Sequence, residues 1–495
     1  MRRSLLALGI AALAATAAMP SASSTPGARA KASWSMVDMS KDVNHDGFID
    51  GDGGVPKSGA LSLAPSATFV GEGNHLAQPN ERLINGAMSW YLSPSGFPVT
   101  LNACGSVGST FAWTLTDTAT TATTRLAARR LTARTCRTRV TLPEGNYTFA
   151  LSVASGSATS TESMAAQVKN ILMLALGDSY ASGEGNPRNV GAWLRRDGLL
   201  ASFHPYWDQD SCHRSVHGAP AQAALALEQH SLLTSVTLVD VTCSGATVRQ
   251  GILGAQPSMG QTQIALARSL IGTAPVDLVT LSVGGNDVGF GSVLSSCLLN
   301  ANCPLVPASP GTLQRYPTLQ AGVTDQTAKL PAAYADVAAC LAGRTCPNGV
   351  ILAPGALVLP TLYPDISRNS DGSICSYLSM NTQDFTWARA SILNPAPPPS
   401  VPYLTTNQGA KTLPIAATLN QQIRNTSSLG WRPVVQTWSK SGDSNIGHGI
   451  CAGATSWVFG VQLGSEMVGA AFHPNPTGQR ELAAAITEAA KPAVG

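Results

Sequence analysis

Charge is scarce in this chain. Only 12% of its 495 residues are charged, about half the usual share of a globular protein. The formal net charge is +3 and no basic tract occurs, so no nucleic-acid partner is expected. There is no CxxC pair and no HExxH, which removes the usual zinc frameworks. After the first residues, no segment is apolar enough to span a bilayer.

What is there is apolar and small. Hydrophobic residues make up 44%, enough for large cores, and the length allows two or three domains. With so few charges the surface must be built from Ser, Thr, Asn and Gln, a composition common in exported proteins. The N-terminus agrees. Arg2-Arg3 precede LLALGIAALAATAA and then Met19-Pro20-Ser21-Ala22. A charged start, a short apolar core and small residues make a secretory signal peptide, expected over 1–32. The apolar run is shorter than the ~20 residues of a membrane span. It carries no cysteine for a lipid anchor.

Ten cysteines follow, at 104, 136, 212, 243, 297, 303, 340, 346, 375 and 451. An even count in an exported chain argues for disulfides. Sequence alone does not fix their pairing; the sequential pattern, first with second and onward, is the expectation.

Residues 33–60 read as an Asp/Gly-rich linker. Within it, Asp42, Asn44, Asp46 and Asp50 place oxygen side chains along Asp42-Val-Asn-His-Asp-Gly-Phe-Ile-Asp. Alternating oxygens followed by a glycine match the first half of a calcium loop. The twelfth position is Gly53 rather than Glu, so structural calcium is an expectation on a partial pattern. Residues 61–166 contain SATFVG, AMSWYLS, FPVTLNAC, STFAWTLT, RVTLP and YTFALSVAS, short Thr/Val/aromatic runs separated by turn residues. Their spacing predicts a β-sandwich accessory domain.

From 167 the pattern changes. ILMLALG (171–177), SVTLVDVT (235–242), DLVTLSVGG (277–285), GVILAPG (349–355) and RPVVQT (432–437) are apolar strands. Helical stretches at 220–230, 261–272, 331–343 and 476–491 lie between or after them. Alternating strands and helices predict a parallel sheet covered on both faces, a three-layer α/β/α domain over 167–495. The Pro-rich segments 296–330 and 360–410 read as irregular loops.

Three strand ends carry small residues where open α/β sheets gather their sites. The first is Gly177-Asp178-Ser179. Ser179 could be a nucleophile, and its own main-chain N–H an oxyanion donor. The second is Cys243-Ser244-Gly245, where Gly245 allows close backbone approach. The third is Gly284-Gly285-Asn286-Asp287, with the Asn286 amide as a third donor. A base should be one of eight histidines. His473, immediately before the last helix, is favoured over His448, which sits beside Cys451.

GDSYASGEG, CSGAT, GGND and FHPNPTG, in this order, resemble the SGNH (GDSL) hydrolase family of esterases and lipases. The resemblance covers about two thirds of the chain, and the disulfide-rich body and GHGIC…W segment resemble its secreted actinobacterial-type esterase and phospholipase subgroup. The N-terminal strands are similar to immunoglobulin-like and PKD-like modules. The resemblance implies Ser179 as nucleophile, His473 as general base, and an oxyanion hole of Ser179, Gly245 and Asn286. The family usually has Asp three residues before the histidine; here that residue is Ala470. Some secreted members use a main-chain carbonyl instead, which assigns that role to Ala470 and implies a Ser–His dyad. The expected protein is a secreted, monomeric esterase or lipase that needs no catalytic cofactor and makes transient contact with lipid surfaces. A carbohydrate acetylesterase is the alternative within that chemistry. A non-catalytic exported binding protein with a degenerate hydrolase domain is the alternative outside it.

Overall fold

The computed structural model describes residues 27–42, 44–49, 83–84, 87–88, 96–194, 205–307, 313–346, 349–393, 399–405, 409–415, 417–435, 438, 447–462 and 467–494. Most of the expected signal peptide, Asp50, SATFVG and most of AMSWYLS lie outside the described residues.

The chain divides into two compact units. One comprises Met1–Ser33, Leu101–Thr138 and Asn146–Ala166; the other Trp34–Thr100, Arg139–Gly145 and Gln167–Gly495.

The smaller unit is built on a sheet ordered Ala158–Val168, Gly145–Ser155, Thr110–Asp117, Thr123–Arg125, with Arg129–Arg130 also pairing with Thr110–Asp117. Its burial alternates along each central strand, as period-2 side chains require. The inward residues meet across the antiparallel pair: Phe111 faces Val153, Trp113 faces Leu151 and Leu115 faces Phe149. All six are buried. Such cross-strand apolar pairs are the unit of sheet stabilisation. The bridge Cys104–Cys136 closes this unit. The expected strands at 97–104 and 139–143 form as Phe97–Asn102 and Arg137–Leu142, in a three-stranded sheet with Ser33–Met36.

The larger unit holds a parallel sheet. Its strands are β1 (Asn170–Gly177), β2 (Ser235–Asp240), β3 (Pro275–Ser282) and β4 (Ile351–Pro360). Their order is β2-β1-β3-β4, all pairings parallel. Every residue of β1 and β2 is buried, which explains the unbroken apolar run of β1 from Ile171 to Leu176; in β2 the buried Ser235 and Thr237 hydroxyls donate to Asn170. The helices are α1 (Ala219–Glu228), α2 (Gln263–Ile271), α3 (Phe290–Leu299), α4 (Leu319–Leu341) and α5 (Pro476–Val494). Helix α1 packs on β2 and α5, α5 on β3 and β4, and α2 on β1 and β2.

Several elements differ from expectation. The described part of RPVVQT lies along the edge of β4 without forming a regular strand: the Arg432 and Val434 N–H groups donate to the Val358 and Pro360 carbonyls at 2.8 Å, and a parallel bridge joins Thr361 to Val434. The 296–330 segment is not irregular throughout, since α4 begins at Leu319 and runs through Pro331. Short helices at Thr382–Ala388 and Leu419–Asn425 and a hairpin, Ser400–Thr405 with Gly409–Pro414, form in or beyond the second segment taken as loop. The five disulfides are the sequential ones: 104–136, 212–243, 297–303, 340–346 and 375–451.

Candidate active site

The chain runs from β1 outward to β2 and then crosses back to β3 on the other side of β1. That reversal leaves a crevice at the carboxyl end of β1, where open α/β sheets bind ligands. The three small-residue strand ends are stitched together there. The Cys243 N–H donates to the Gly177 carbonyl at 2.9 Å, and the Asp178 N–H to the Ser282 carbonyl at 2.8 Å. Gln263 holds both polar groups of Gly177, accepting its N–H at 2.8 Å and donating to its carbonyl at 2.8 Å. Gly177 sits at φ 152°, and a β-carbon there would lie 2.5 Å from the Ser282 carbonyl oxygen. Only glycine lets β1 end this close to β3.

One turn of helix, Ser179–Ser182, follows directly. Asp178 caps it, accepting the Tyr180 N–H at 3.1 Å. Ser179 occupies the first position, where main-chain N–H groups have no intrahelical partner. Its side chain is almost buried.

The histidine favoured from sequence arrives from the other end of the chain. His473 Nε2 lies 2.8 Å from Ser179 Oγ. Nδ1 of the same ring lies 3.0 Å from the Ala471 carbonyl oxygen. A carbonyl only accepts, so Nδ1 carries the proton and Nε2 accepts from the Ser179 hydroxyl. Ala470 therefore does not have the role expected for it. Its carbonyl accepts the main-chain N–H of His473 at 3.0 Å. Ala471 has φ −52° and ψ 131°, and Phe472 has φ 63°; together these make a type II turn over 470–473. The turn consumes the Ala470 carbonyl and flips the next peptide, leaving the Ala471 carbonyl to face the ring. Phe472 takes the left-handed conformation that glycine usually supplies there, a local strain held by its burial.

Burial lowers the His473 pKa below its ordinary value, opposed by the Glu184 charge and by the carbonyls of Ala471, Gly469 and Ala470. His448 is elsewhere engaged. It stacks on Trp457 at 3.7 Å, and its Nδ1 faces the Thr455 carbonyl at 2.9 Å.

The Asn286 amide donates to the Ala246 carbonyl at 3.0 Å, which uses one of its two N–H groups. Gly245 lies in the same loop as Ala246, at the end of β2. Asp287 serves this loop too, accepting the Val248 N–H at 3.1 Å.

Four residues that position these groups were not singled out from sequence. The Tyr180 hydroxyl donates to the Phe472 carbonyl at 2.8 Å, and Asn186 to the Pro474 carbonyl at 2.8 Å, so both neighbours of His473 are tied down. Tyr363 donates to the Asp178 carboxylate and accepts the Gly285 N–H at 3.0 Å. Burial pushes the Asp178 carboxyl up to about 7, against the Tyr363, Tyr180 and Ser282 hydrogen bonds, with Asp287 adding to the rise. Glu184 is buried and lies 2.7 Å from His213 Nδ1. GDSY and GEGN display these side chains in sequence, but nothing local says what they reach some 290 residues away.

In the possible calcium loop, Asp42 accepts the N–H groups of Asp46 at 3.0 Å and Gly47 at 2.9 Å, and Asp46 that of Phe48 at 3.0 Å. Among the described residues these oxygens form no group of three or more His, Cys, Asp or Glu able to hold a metal. No described helix is long and apolar enough to cross a membrane.

No protein-family model matches the chain. No curated protein sequence does either. Among solved structures, the extracellular lipase of Streptomyces rimosus is similar at 19% identity, over 64% of this chain and 99% of that one, with a TM-score of 0.38. Phospholipase A1 of Streptomyces albidoflavus NA297 is similar at 20% identity, over 64% and 98%, with a TM-score of 0.37. A carbohydrate esterase is similar at 11% identity, over 53% and 70%, with a TM-score of 0.20.

Proposed function

We propose that this chain is a secreted serine ester hydrolase of the SGNH type, with a three-layer α/β/α catalytic domain and a β-sandwich accessory domain. The observation that carries the chemistry is a serine hydroxyl 2.8 Å from a histidine Nε2 whose other nitrogen is turned to a carbonyl. That is the pairing a nucleophile and its base require.

Ser179 Oγ attacks the ester carbonyl as its proton passes to His473 Nε2. The tetrahedral oxyanion is held by the N–H groups of Ser179 and Gly245 and by the second N–H of Asn286. Collapse expels the alcohol, which takes the proton from His473. Water, deprotonated by the same ring, then attacks the acyl carbonyl, and the acid is released as His473 returns the proton to Ser179 Oγ. The Ala471 carbonyl fixes the tautomer throughout, and no metal or cofactor takes part in this scheme. Carboxylic or lipid esters are the proposed substrates, with carbohydrate acetyl esters the narrower alternative. The protein is proposed to act as a monomer that touches lipid surfaces transiently.

The test is hydrolysis of p-nitrophenyl acetate, butyrate and palmitate by the wild type and Ser179→Ala. No activity in either overturns the enzyme reading in favour of a non-catalytic binding protein, and equal activity in both overturns Ser179 as the nucleophile. Structural calcium at Asp42, Asn44, Asp46 and Asp50 is proposed separately. It predicts that EDTA lowers the Tm; an unchanged Tm counts against it.

A further inference from the structure

We propose that Glu184 is a positioning residue for His473, supplying through space the carboxylate that the chain lacks at position 470. The inference rests on the reading of Ser179 and His473 given above.

Glu184 lies five residues beyond the nucleophile, past the turn closed by Gly183. Its side chain is only 5% exposed. A carboxylate so placed needs partners. It has His213 Nδ1 at 2.7 Å and the Ser244 hydroxyl. Its other side presses on the turn that carries the base: a β-carbon on Gly469 would lie 2.7 Å from Glu184 Oε1. Any residue but glycine at 469 would push the carboxylate away from this turn. Gly185 closes equally tightly on Ala470, where an added β-carbon would come within 2.9 Å of the alanine methyl. The acidic group and the base turn are thus packed together with nothing larger than hydrogen between them.

Burial alone would raise the Glu184 carboxyl, but His213, the His473 charge and Ser244 outweigh it and hold it below its ordinary value. It therefore stays ionised across the working range. His473 feels that charge in return. When His473 takes the serine proton it becomes an imidazolium, and a buried negative charge nearby favours that form.

His213 competes for the same carboxylate. It is 43% exposed, stacks on Trp207 at 4.7 Å, and its pKa is raised by the Glu184 hydrogen bond and by the charges of Glu184 and Asp210. Protonated His213 offsets the field that Glu184 exerts on His473. Among the described residues, the groups acting on the pair are Glu184, His213, Asp210 and His473, with the Ser244 hydroxyl.

The two partners should therefore shift the base in opposite directions. The readouts are the pH dependence of kcat/KM on p-nitrophenyl butyrate, and the His473 titration followed by NMR in a Ser179→Ala background. Glu184→Gln keeps the shape and removes the charge. It should move the acid limb down by about one pH unit and lower kcat about tenfold. His213→Gln keeps a hydrogen-bond donor to Glu184 while removing the competing positive charge, and should move the limb up by about half a unit. Limbs that stay in place in both variants, or that move the same way, overturn the proposal. The half-exposed His213 site carries the test alone if Glu184→Gln does not fold. Activity surviving in Ser179→Ala would instead sink the nucleophile reading, while the NMR titration still decides whether Glu184 acts on His473.

Discussion

Ser179 is delivered by eight consecutive strand residues, all buried, whereas His473 arrives on a turn with no regular strand behind it. The serine turn is fixed by its own surroundings: Gly177 against β3, Gln263 on the Gly177 peptide, Asp178 as cap. The base turn is fixed from a distance. Tyr180 and Asn186 hold the carbonyls on either side of His473, and Phe459 exchanges main-chain hydrogen bonds with Phe472 and His473 at 2.8 and 2.9 Å. The proposed nucleophile is presented by secondary structure, whereas the proposed base, with a carbonyl rather than a carboxylate on its Nδ1, is presented by the rest of the site.

Four sets of variants would break or sharpen this contrast. The largest effect is expected at the point where the turns meet. Ser179→Ala and His473→Ala should each lower kcat at least about 10³-fold, with His448→Ala near wild type; the reverse order for the two histidines would reassign the base. Next comes Asn286→Ala, expected to cost about 10²–10³ in kcat with little change in KM. Remote positioning of the base is tested by Tyr180→Phe and Asn186→Ala. Each leaves a buried carbonyl unpaired and should lower kcat about tenfold while KM holds. A fall in KM-dependent binding alone would mean that the base turn needs no such ties.

The smallest effect concerns stability. The Asp178 pKa is raised on folding, to about 7, so its contribution to stability is fully present below the unfolded carboxylate range. It is lost as pH rises through about 7. Asp178→Asn keeps the cap and should flatten the fall in Tm between roughly pH 4 and 8 by a few degrees. Glu228, buried and pushed up to about 8, adds a slope of the same sign that this substitution leaves in place. A Tm profile unaltered by the change would show that Asp178 does not titrate there.

The same contrast explains what could be read from sequence. The nucleophile strand and the three strand ends were legible because they are local: a buried run, a glycine, a polar residue. Helices α1, α2 and α5 were legible from their small-residue periodicity. Helix α3 was hidden because Phe290–Leu299 buries Ser292 and Ser296 along with Val293 and Cys297, so its inner face has no apolar period, and the first half of α4 because Pro331 reads as a start rather than an interior residue. The carbonyl facing His473 was placed one residue early. Spacing places an acceptor near the ring, but only the left-handed Phe472 decides which peptide is flipped. Tyr180, Glu184 and Asn186 were in plain view, yet their partners lie in a turn that sequence does not bring near them.

The disulfide order has a consequence for how the polypeptide can be assembled. Each cysteine pairs with the next one along, and no bridge encloses a cysteine belonging to another. A chain emerging amino end first thus meets, for every thiol, its correct mate before any competitor. Oxidation in order of appearance produces the native set, and an enzyme that reshuffles mispaired thiols has little to correct.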